Sequence, residues 1–91
     1  LAAFYGYVAD NLEYPEKAVR LNISGVVFVK FVVEKDGRLT DVNVIKGIGA
    51  GCDEEAVRVI ESAPAWKPGK QRGKPVRVYM TVPIRFVLRE R

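Results

Sequence analysis

An alternation of apolar and polar side chains between Lys74 and Leu88 constrains the fold of this chain more than any other feature. Every even position from 76 to 88 is apolar: Val76, Val78, Met80, Val82, Ile84, Phe86 and Leu88. Successive side chains of a β-strand point to opposite faces of its sheet. A period of two over this length therefore predicts one long strand, residues 74–88, with a buried face.

Two prolines indicate where that strand lies in a sheet. Proline has no N–H to donate to a ladder, so it is confined to edge strands and bulges. Pro75 and Pro83 share odd parity, and consecutive residues direct their main-chain groups alternately to the two sides of a strand. The odd residues are therefore predicted to face an open edge, with a rim formed by Arg77, Tyr79, Thr81 and Arg85. Such an edge is either protected or used to bind another strand.

Three helices are predicted upstream of this strand. Apolar residues at intervals of three and four in residues 1–14 indicate an amphipathic helix that ends at Tyr14-Pro15, and its apolar face is Leu1, Phe4, Val8 and Leu12. A short second helix is predicted from Pro15 to about Leu21, because proline suits the first helical turn. A third helix is predicted to begin at an N-cap on Cys52 or Asp53 and to stop at Pro64.

Two further strands complete the predicted sheet. Residues 26–34 are apolar on both parities apart from Lys30, which is typical of a central strand. A hairpin turn at residues 35–37 leads to a second strand over residues 38–46. One helix then crosses to the third strand, so an all-antiparallel sheet requires the order 2-1-3. The fold class is therefore α+β, a three-stranded antiparallel sheet with helices on one face.

The two faces of the central strand are predicted to differ. Val27, Val29, Phe31 and Val33 are expected to face the helices. Val26, Phe28 and Val32 are expected to lie uncovered on the other face, as an apolar patch that favours association with a partner. Trp66, in the basic connector of residues 65–74, is interpreted as a lid over the sheet, with exposed partner contact as the alternative.

Composition restricts the classes of function. Ninety-one residues form a single domain, 1–91, with a formal net charge of +4. No apolar run approaches the ~20 residues that span a bilayer. The chain does not begin with Met, so we expect it to be part of a longer protein. Histidine is absent and Cys52 is the only cysteine, which excludes the usual zinc sites and Ser–His or Cys–His pairs.

Enzymatic chemistry is not predicted. The carboxylates of Asp36, Asp41, Asp53, Glu54 and Glu55 occupy a hairpin and a helix start, where structural roles account for them. The glycines at 47, 49 and 51 lack the full GxGxxG phosphate pattern, because an acid follows where glycine is required. No enzyme activity, cofactor, metal or small-molecule substrate is therefore expected.

Seven short motifs, in order, resemble the C-terminal domain of TonB energy transducers. They are Tyr14-Pro15-x-x-Ala18, Gly25-Val-Val-Phe-Val-Lys-Phe, Asp36-Gly37-Arg38, Asp53-x-Glu55-Ala56, Pro64-x-Trp66-x-Pro68-Gly69, Gly73-Lys74-Pro75-Val76 and Pro83-Ile84-x-Phe86. The resemblance covers residues 14–88. The segments Gly51-Cys52-Asp53-Glu54-Glu55-Ala56 and Pro68-Gly69-Lys70-Gln71 are most similar to TonB-type proteins of Bacteroidetes.

This resemblance implies a periplasmic domain of Gram-negative bacteria, anchored in the inner membrane by a helix upstream and coupled there to ExbB–ExbD. It implies capture of the TonB box of outer-membrane transporters, as a strand added to residues 74–88. The partner-binding residues would be Arg77, Tyr79, Thr81 and Arg85. The chain departs from better-studied members, because Asn11 and Glu13 stand where a box-contacting glutamine is found. Pro83 would also confine pairing to Arg77, Tyr79 and Thr81.

Three alternatives stay open at the level of sequence. The basic connector, with Trp66 or Tyr79 for stacking, is compatible with nucleic-acid binding, although no recognised nucleic-acid motif is present. Edge strands of two copies could pair in a structural homodimer. A related domain also occurs in membrane-anchored sensors and proteases, so the parent protein need not be a transducer.

Overall fold

The computed structural model of the chain describes residues 2–88, which form three helices and five strands. The helices are α1 (Ala2–Asn11), α2 (Glu16–Arg20) and α3 (Cys52–Glu61). The strands are β1 (Gly25–Val33), β2 (Leu39–Lys46), β3 (Gly69–Gln71), β4 (Lys74–Val76) and β5 (Val78–Phe86). The predicted α+β class is confirmed. No helix within residues 2–88 is long and apolar enough to cross a membrane.

The main sheet is antiparallel, with strand order β2-β1-β5. β1 lies in the centre, as predicted from its apolar residues at both even and odd positions. The strand order that the connectivity requires is confirmed. The β1–β5 ladder runs without a register shift from Gly25 opposite Phe86 to Val33 opposite Val78. The β1–β2 ladder has two irregularities, and Asp41 lies at one of them with a φ of 51°.

The core lies between one face of this sheet and the helices. Val27, Val29 and Phe31 of β1 are fully buried, as predicted for the inner face. They meet the buried side of α3, which consists of Cys52, Ala56, Val59 and Ile60. Phe4 and Val8 of α1 belong to the same core. Leu1, predicted on the same helix face, lies outside the described residues.

The prediction of one continuous strand over residues 74–88 is wrong. Residues 74–76 form β4, which pairs with β3 in a separate two-stranded sheet, and Arg77 belongs to neither strand. The cause is a two-residue turn at Arg72 and Gly73, which have φ values of 52° and 77°. Two consecutive positive φ values match the twist of a tight hairpin. Local closure therefore takes β4 out of the main sheet.

The predicted N-cap of α3 is also wrong. Gly51 holds the cap position with a φ of 86°, and no side chain caps the helix there. The Asp53 carboxylate instead accepts hydrogen bonds from the main-chain N–H groups of Ile48, at 2.9 Å, and Gly49, at 3.2 Å. These loop amides are the donors that a phosphate would require, and an acid of the same chain occupies them.

Val32 differs from its prediction as well. It lies on the outer face of β1 but is only 1% exposed, whereas Phe28 on the same face is 38% exposed. Val32 is paired with Thr40 of β2 and Tyr79 of β5, so side chains flank it on both sides. The apolar patch on the outer face is consequently smaller than predicted.

The basic connector places Trp66 over the sheet. Its ring packs edge-to-face on Phe4, with centroids 4.9 Å apart, and on Phe31, at 5.6 Å. The main-chain N–H of Trp66 donates to the Gly37 carbonyl at 2.7 Å, which ties the connector to the β1–β2 turn. Within that turn, Asp36 accepts from the N–H of Arg38 at 3.0 Å and forms an ion pair with its side chain.

The Tyr14-Pro15 segment fastens the N-terminal helices to the end of the main sheet. The Tyr14 ring packs perpendicular to Phe86, with centroids 5.5 Å apart, and its hydroxyl donates to the Ile23 carbonyl. Pro15 lies so close to Gly51 that a Cβ on that glycine would be 3.1 Å from the proline ring. Both residues therefore have structural contacts in the fold.

Candidate functional site: the open edge of β5

Strand β5 is bonded on one side only. Within the described residues it pairs with β1 along its full length of nine residues, and no strand lies along its other side. This unpaired side, called the open edge below, carries main-chain N–H and C=O groups without a strand partner. Such an edge is a template for the addition of another strand.

Alternation along β5 assigns which residues face the open edge. Val82, Ile84 and Phe86 are at most 2% exposed, so the even residues point into the core as predicted. Pro83 lies opposite Phe28 in the ladder. In a hydrogen-bonded antiparallel pair each residue donates its N–H to the other, and proline cannot. The odd residues of β5 therefore direct their main-chain groups away from β1, to the open edge.

The predicted site residues do not all lie in the same setting. Tyr79, Thr81 and Arg85 are on β5 and exposed, and the Tyr79 side chain is 66% exposed. Arg77 lies just before β5. Its guanidinium carbon is 5.7 Å from the centre of the Tyr79 ring, so a cation–π contact joins these two residues. The structure brings Arg77 and Tyr79 together at one end of the open edge.

Glu34 is a member of this cluster that sequence reasoning missed. The Arg77 guanidinium donates to both of its carboxylate oxygens, at 2.8 and 3.3 Å, and the Thr40 hydroxyl also donates to it. These bonds, Arg77 first, hold the pKa of Glu34 below its ordinary value of 4.5. No local pattern in the sequence indicates this pair. It follows from the register of the ladder, in which Val33 faces Val78, so that Glu34 and Arg77 are the next pair outward.

A groove runs beside the open edge and was also not predicted. It lies between α1 and β5, has a volume of about 390 Å³, and is lined by Tyr5, Val8, Ala9, Leu12, Pro83, Ile84 and Arg85. Most of these side chains are apolar. A strand lying along the open edge would direct alternate side chains toward this groove and toward the outer face of the sheet.

Metal-ligating side chains and the cysteine thiol are the remaining candidates for chemistry in the described residues. No group of three His, Cys, Asp or Glu side chains is placed to hold a metal ion in the part of the chain that the structure describes. Cys52 is buried, and burial, followed by the nearby charges of Asp53 and Glu54, raises the pKa of its thiol. A thiol of this kind is a poor nucleophile at neutral pH.

Of the two aromatic residues considered for nucleic-acid stacking, Trp66 is engaged in the fold. Trp66 is half-buried and packs against Phe4 and Phe31. Tyr79 is 66% exposed, with the Arg77 guanidinium carbon 5.7 Å from the centre of its ring. Base stacking requires a free aromatic face, so the structure leaves the nucleic-acid alternative only Tyr79 and positive charge.

The comparisons with known proteins concern the family and the fold. The family model described as the Gram-negative bacterial TonB protein C-terminal matches residues 10–88. A comparison with curated proteins finds no match. The solution structure of the Helicobacter pylori TonB C-terminal domain is 27% identical, with a TM-score of 0.73, over 97% of this chain and 79% of that one.

The Pseudomonas aeruginosa TonB C-terminal domain is 28% identical, with a TM-score of 0.67, over 90% of this chain and 83% of that one. A second Helicobacter pylori structure is 24% identical, with a TM-score of 0.73 over 99% of this chain and 95% of that one, and supports the fold alone. Members of the TonB C-terminal family are non-catalytic periplasmic domains of Gram-negative energy transducers, and they interact with outer-membrane receptors. This chain belongs to that family.

Proposed function

We propose that the open edge of β5 captures the TonB box of outer-membrane transporters as an added strand. The observation that carries the proposal is the nine-residue β5, which is paired with β1 on one side and with no strand of the described chain on the other. An extended peptide that pairs with a sheet edge gains main-chain hydrogen bonds without a strict sequence requirement. This mode of binding suits one transducer that serves several transporters.

The main chain alone does not supply enough affinity. About four or five hydrogen bonds, each contributing ~0.5–1.5 kcal/mol net, give roughly 2–7 kcal/mol before ordering costs. Micromolar binding needs ~8 kcal/mol. Side chains of the partner must therefore make contacts as well. Tyr79 on the outer face and the groove between α1 and β5 are the two surfaces that flank the open edge.

Pro83 restricts how the added strand is bonded. Tyr79, Thr81 and Arg85 each offer an N–H and a C=O at the open edge, whereas Pro83 offers only its carbonyl. Hydrogen bonding through both the N–H and the C=O of each outward-facing residue is therefore continuous only in the first half of β5. Arg77, which was predicted to extend this stretch, lies outside the strand and is bonded to Glu34. We expect Tyr79 and Thr81 to carry most of the pairing.

In the cell, this capture would transmit force. The proposed parent is an inner-membrane transducer that is coupled to ExbB–ExbD and driven by the proton-motive force. A pull applied to this domain would act along the added strand and reach the transporter. The domain itself would perform no chemistry, which agrees with the structural contacts that Asp36, Asp53 and Glu55 make.

The proposal is tested by an NMR titration of the chain with TonB-box peptides from several transporters. We expect the chemical-shift changes to map to residues 75–85 and to disappear in Thr81→Pro, which removes one outward N–H. Thr81→Val is the matched control, because it keeps the main-chain donor and the branched shape. Binding that survives Thr81→Pro unchanged, or shifts confined to other strands, would contradict the proposal.

A further inference from the structure

The segment that contains the open edge is unusually one-sided in charge. Residues 62–88 contain no Asp or Glu, although the whole chain has 11 acidic residues. The same segment contains six cations: Lys67, Lys70, Arg72, Lys74, Arg77 and Arg85. Among the described residues, only Arg77 of these six forms an ion pair, with Glu34. Positive charge on this part of the molecule is thus largely uncompensated.

Four of these cations lie in a hairpin that forms a separate two-stranded sheet. The basic hairpin, defined here as residues 67–76, contains β3 and β4, which pair only with each other in the described structure. Its four cations are all exposed: Lys67, Lys70, Arg72 and Lys74. Arg72 is at the tip with a φ of 52°. This is a conformation that Asn or Gly adopts more easily.

The basic hairpin leads directly into the open edge. β4 ends at Val76 and β5 begins at Val78. Gly69, at the base of the hairpin, packs so closely on Val78 that a Cβ there would be 2.6 Å from its side chain. Strand β3 has three residues between this base and the turn, so the tip is roughly 10 Å from the base.

We propose that the basic hairpin is a second contact for the same partner and binds an acidic flank of the strand-adding segment. This inference rests on the proposed function. A peptide that pairs with Tyr79 and Thr81 must leave the open edge near Val78, where the hairpin stands. Carboxylates in the two to four residues beyond that point lie within a Debye length, about 8–10 Å, of its cations.

The partner at the hairpin is a peptide segment because of its position and its chemistry. The cations are continuous with a main-chain edge that only an extended chain can use. Exposed charges on the rim of a binding site mainly steer association and set its salt dependence. The acidic flank would therefore select among transporters whose pairing segments are otherwise similar.

Three synthetic peptides with the same TonB-box core test this inference by fluorescence anisotropy at 25 and 300 mM NaCl. One has neutral flanks, one an Asp-Glu-Asp flank at its N-terminus, and one the same flank at its C-terminus. We expect one acidic peptide to bind about fivefold more tightly than the neutral one at low salt, with the advantage lost at high salt. The favoured end reports the direction of the added strand.

The variant Lys70→Glu/Lys74→Glu should remove that advantage and leave the affinity for the neutral peptide unchanged. Its matched control is Lys17→Glu/Arg20→Glu on α2, which changes the net charge equally at two exposed positions. If both double variants lose the advantage of the acidic peptide equally, net charge alone explains it and the inference is overturned. Equal affinity of all three peptides would overturn it and leave strand capture intact, whereas no binding by any peptide would refute the proposed function itself.

A competing target for the same cations is checked with the same variants. Vesicles of phosphatidylcholine with 30% phosphatidylglycerol should show no binding that depends on Lys70 and Lys74. If the vesicles bind and the acidic peptides gain nothing, the hairpin contacts a membrane surface and the inference is wrong.

Discussion

Gly37 has a φ of +87°, and its Cα faces the main chain of Trp66 so closely that a Cβ would lie 1.9 Å from the Trp66 carbonyl oxygen. A residue with a side chain would meet both a strained backbone and a collision. The close contact between the β1–β2 turn and the connector beyond α3 therefore requires a residue without a Cβ at position 37. Asp36-Gly37 is for this reason a structural motif as well as a turn signal.

Gly37→Ala should destabilise the domain by about 2–4 kcal/mol, because a positive φ costs ~1–2 kcal/mol for alanine and the collision adds to it. Urea denaturation followed by circular dichroism measures this loss. Gly73→Ala is the matched control, since Gly73 has a φ of +77° but no atom within 4 Å of its Cβ position. It should lose only about 1 kcal/mol. Equal losses would show that the contact with Trp66 is unimportant.

Asp53→Ala should lower the free energy of unfolding by about 1–2 kcal/mol, because two loop amides lose their acceptor. Glu54→Ala is the control: it also removes an acid from the first turn of α3, but Glu54 is exposed and accepts no loop amide. Its loss should be within the ~0.3–1 kcal/mol of a helix-dipole interaction. The comparison of the two denaturation midpoints is decisive, and equal shifts would assign the whole effect to the helix dipole.

At the scale of elements, β5 combines two different requirements in one strand. Its even residues fill the core and bond to β1, whereas its odd residues leave their main-chain groups free at the open edge. Pro83 is compatible with both requirements, because the N–H that proline lacks would point to the open edge and not to β1. The strand can therefore be complete as a structural element while it stays available to a partner.

Proline substitution distinguishes the two sides of β5. Met80→Pro should destabilise the domain by about 3 kcal/mol or more, because its N–H is directed to β1 and the ladder loses a bond. Thr81→Pro, the adjacent position, should cost about 1 kcal/mol or less in the free domain, because its N–H faces the open edge. Thermal unfolding of both variants measures the difference. A larger loss for Thr81→Pro would reverse the assignment of the open edge.

On the scale of the whole molecule, arginines determine the protonation of three carboxylates. Arg77, Arg38 and Arg58 are the leading causes that lower the pKa values of Glu34, Asp36 and Glu55, respectively. Glu55 also accepts the Glu13 N–H at 2.7 Å, and Arg58 donates to the Asn11 carbonyl at 2.9 Å. The Glu55–Arg58 pair therefore joins α3 to the end of α1.

Thermal stability should fall as the pH is lowered below about 4.5. The folded-state pKa values of these carboxyls are below their unfolded values, so the unfolded chain binds more protons in acid. Their contribution is complete above the unfolded pKa and is lost as the pH falls through the folded pKa. Midpoints of thermal unfolding between pH 7 and pH 2.5 measure this slope. Glu55→Gln should flatten it, and an unchanged slope would show that the Glu55–Arg58 pair is not a source.

Periodicity and connectivity were enough to predict the strand order, the central position of β1 and the edge position of the last strand. The even residues of β5 could be assigned to the core from the sequence, because burial of one strand face leaves a period of two in the sequence. The β3–β4 hairpin was missed because its turn, Arg72-Gly73, has only one of the two residues that typically mark such a turn. Helix boundaries were predicted to within two residues for α3, but not its cap.

The sequence by itself determined which faces of the strands are buried, because apolar and polar residues alternate along them. It also determined which strand lies at the edge, because a single helix connects the second predicted strand to the third. Only the tertiary structure decided the pairing of Glu34 with Arg77, the groove between α1 and β5, and the separation of the basic hairpin from the main sheet. The first two features join residues far apart in the chain, and Glu34 and Arg77 are 43 positions apart. Their contact depends on the exact register of a ladder, which no local pattern encodes.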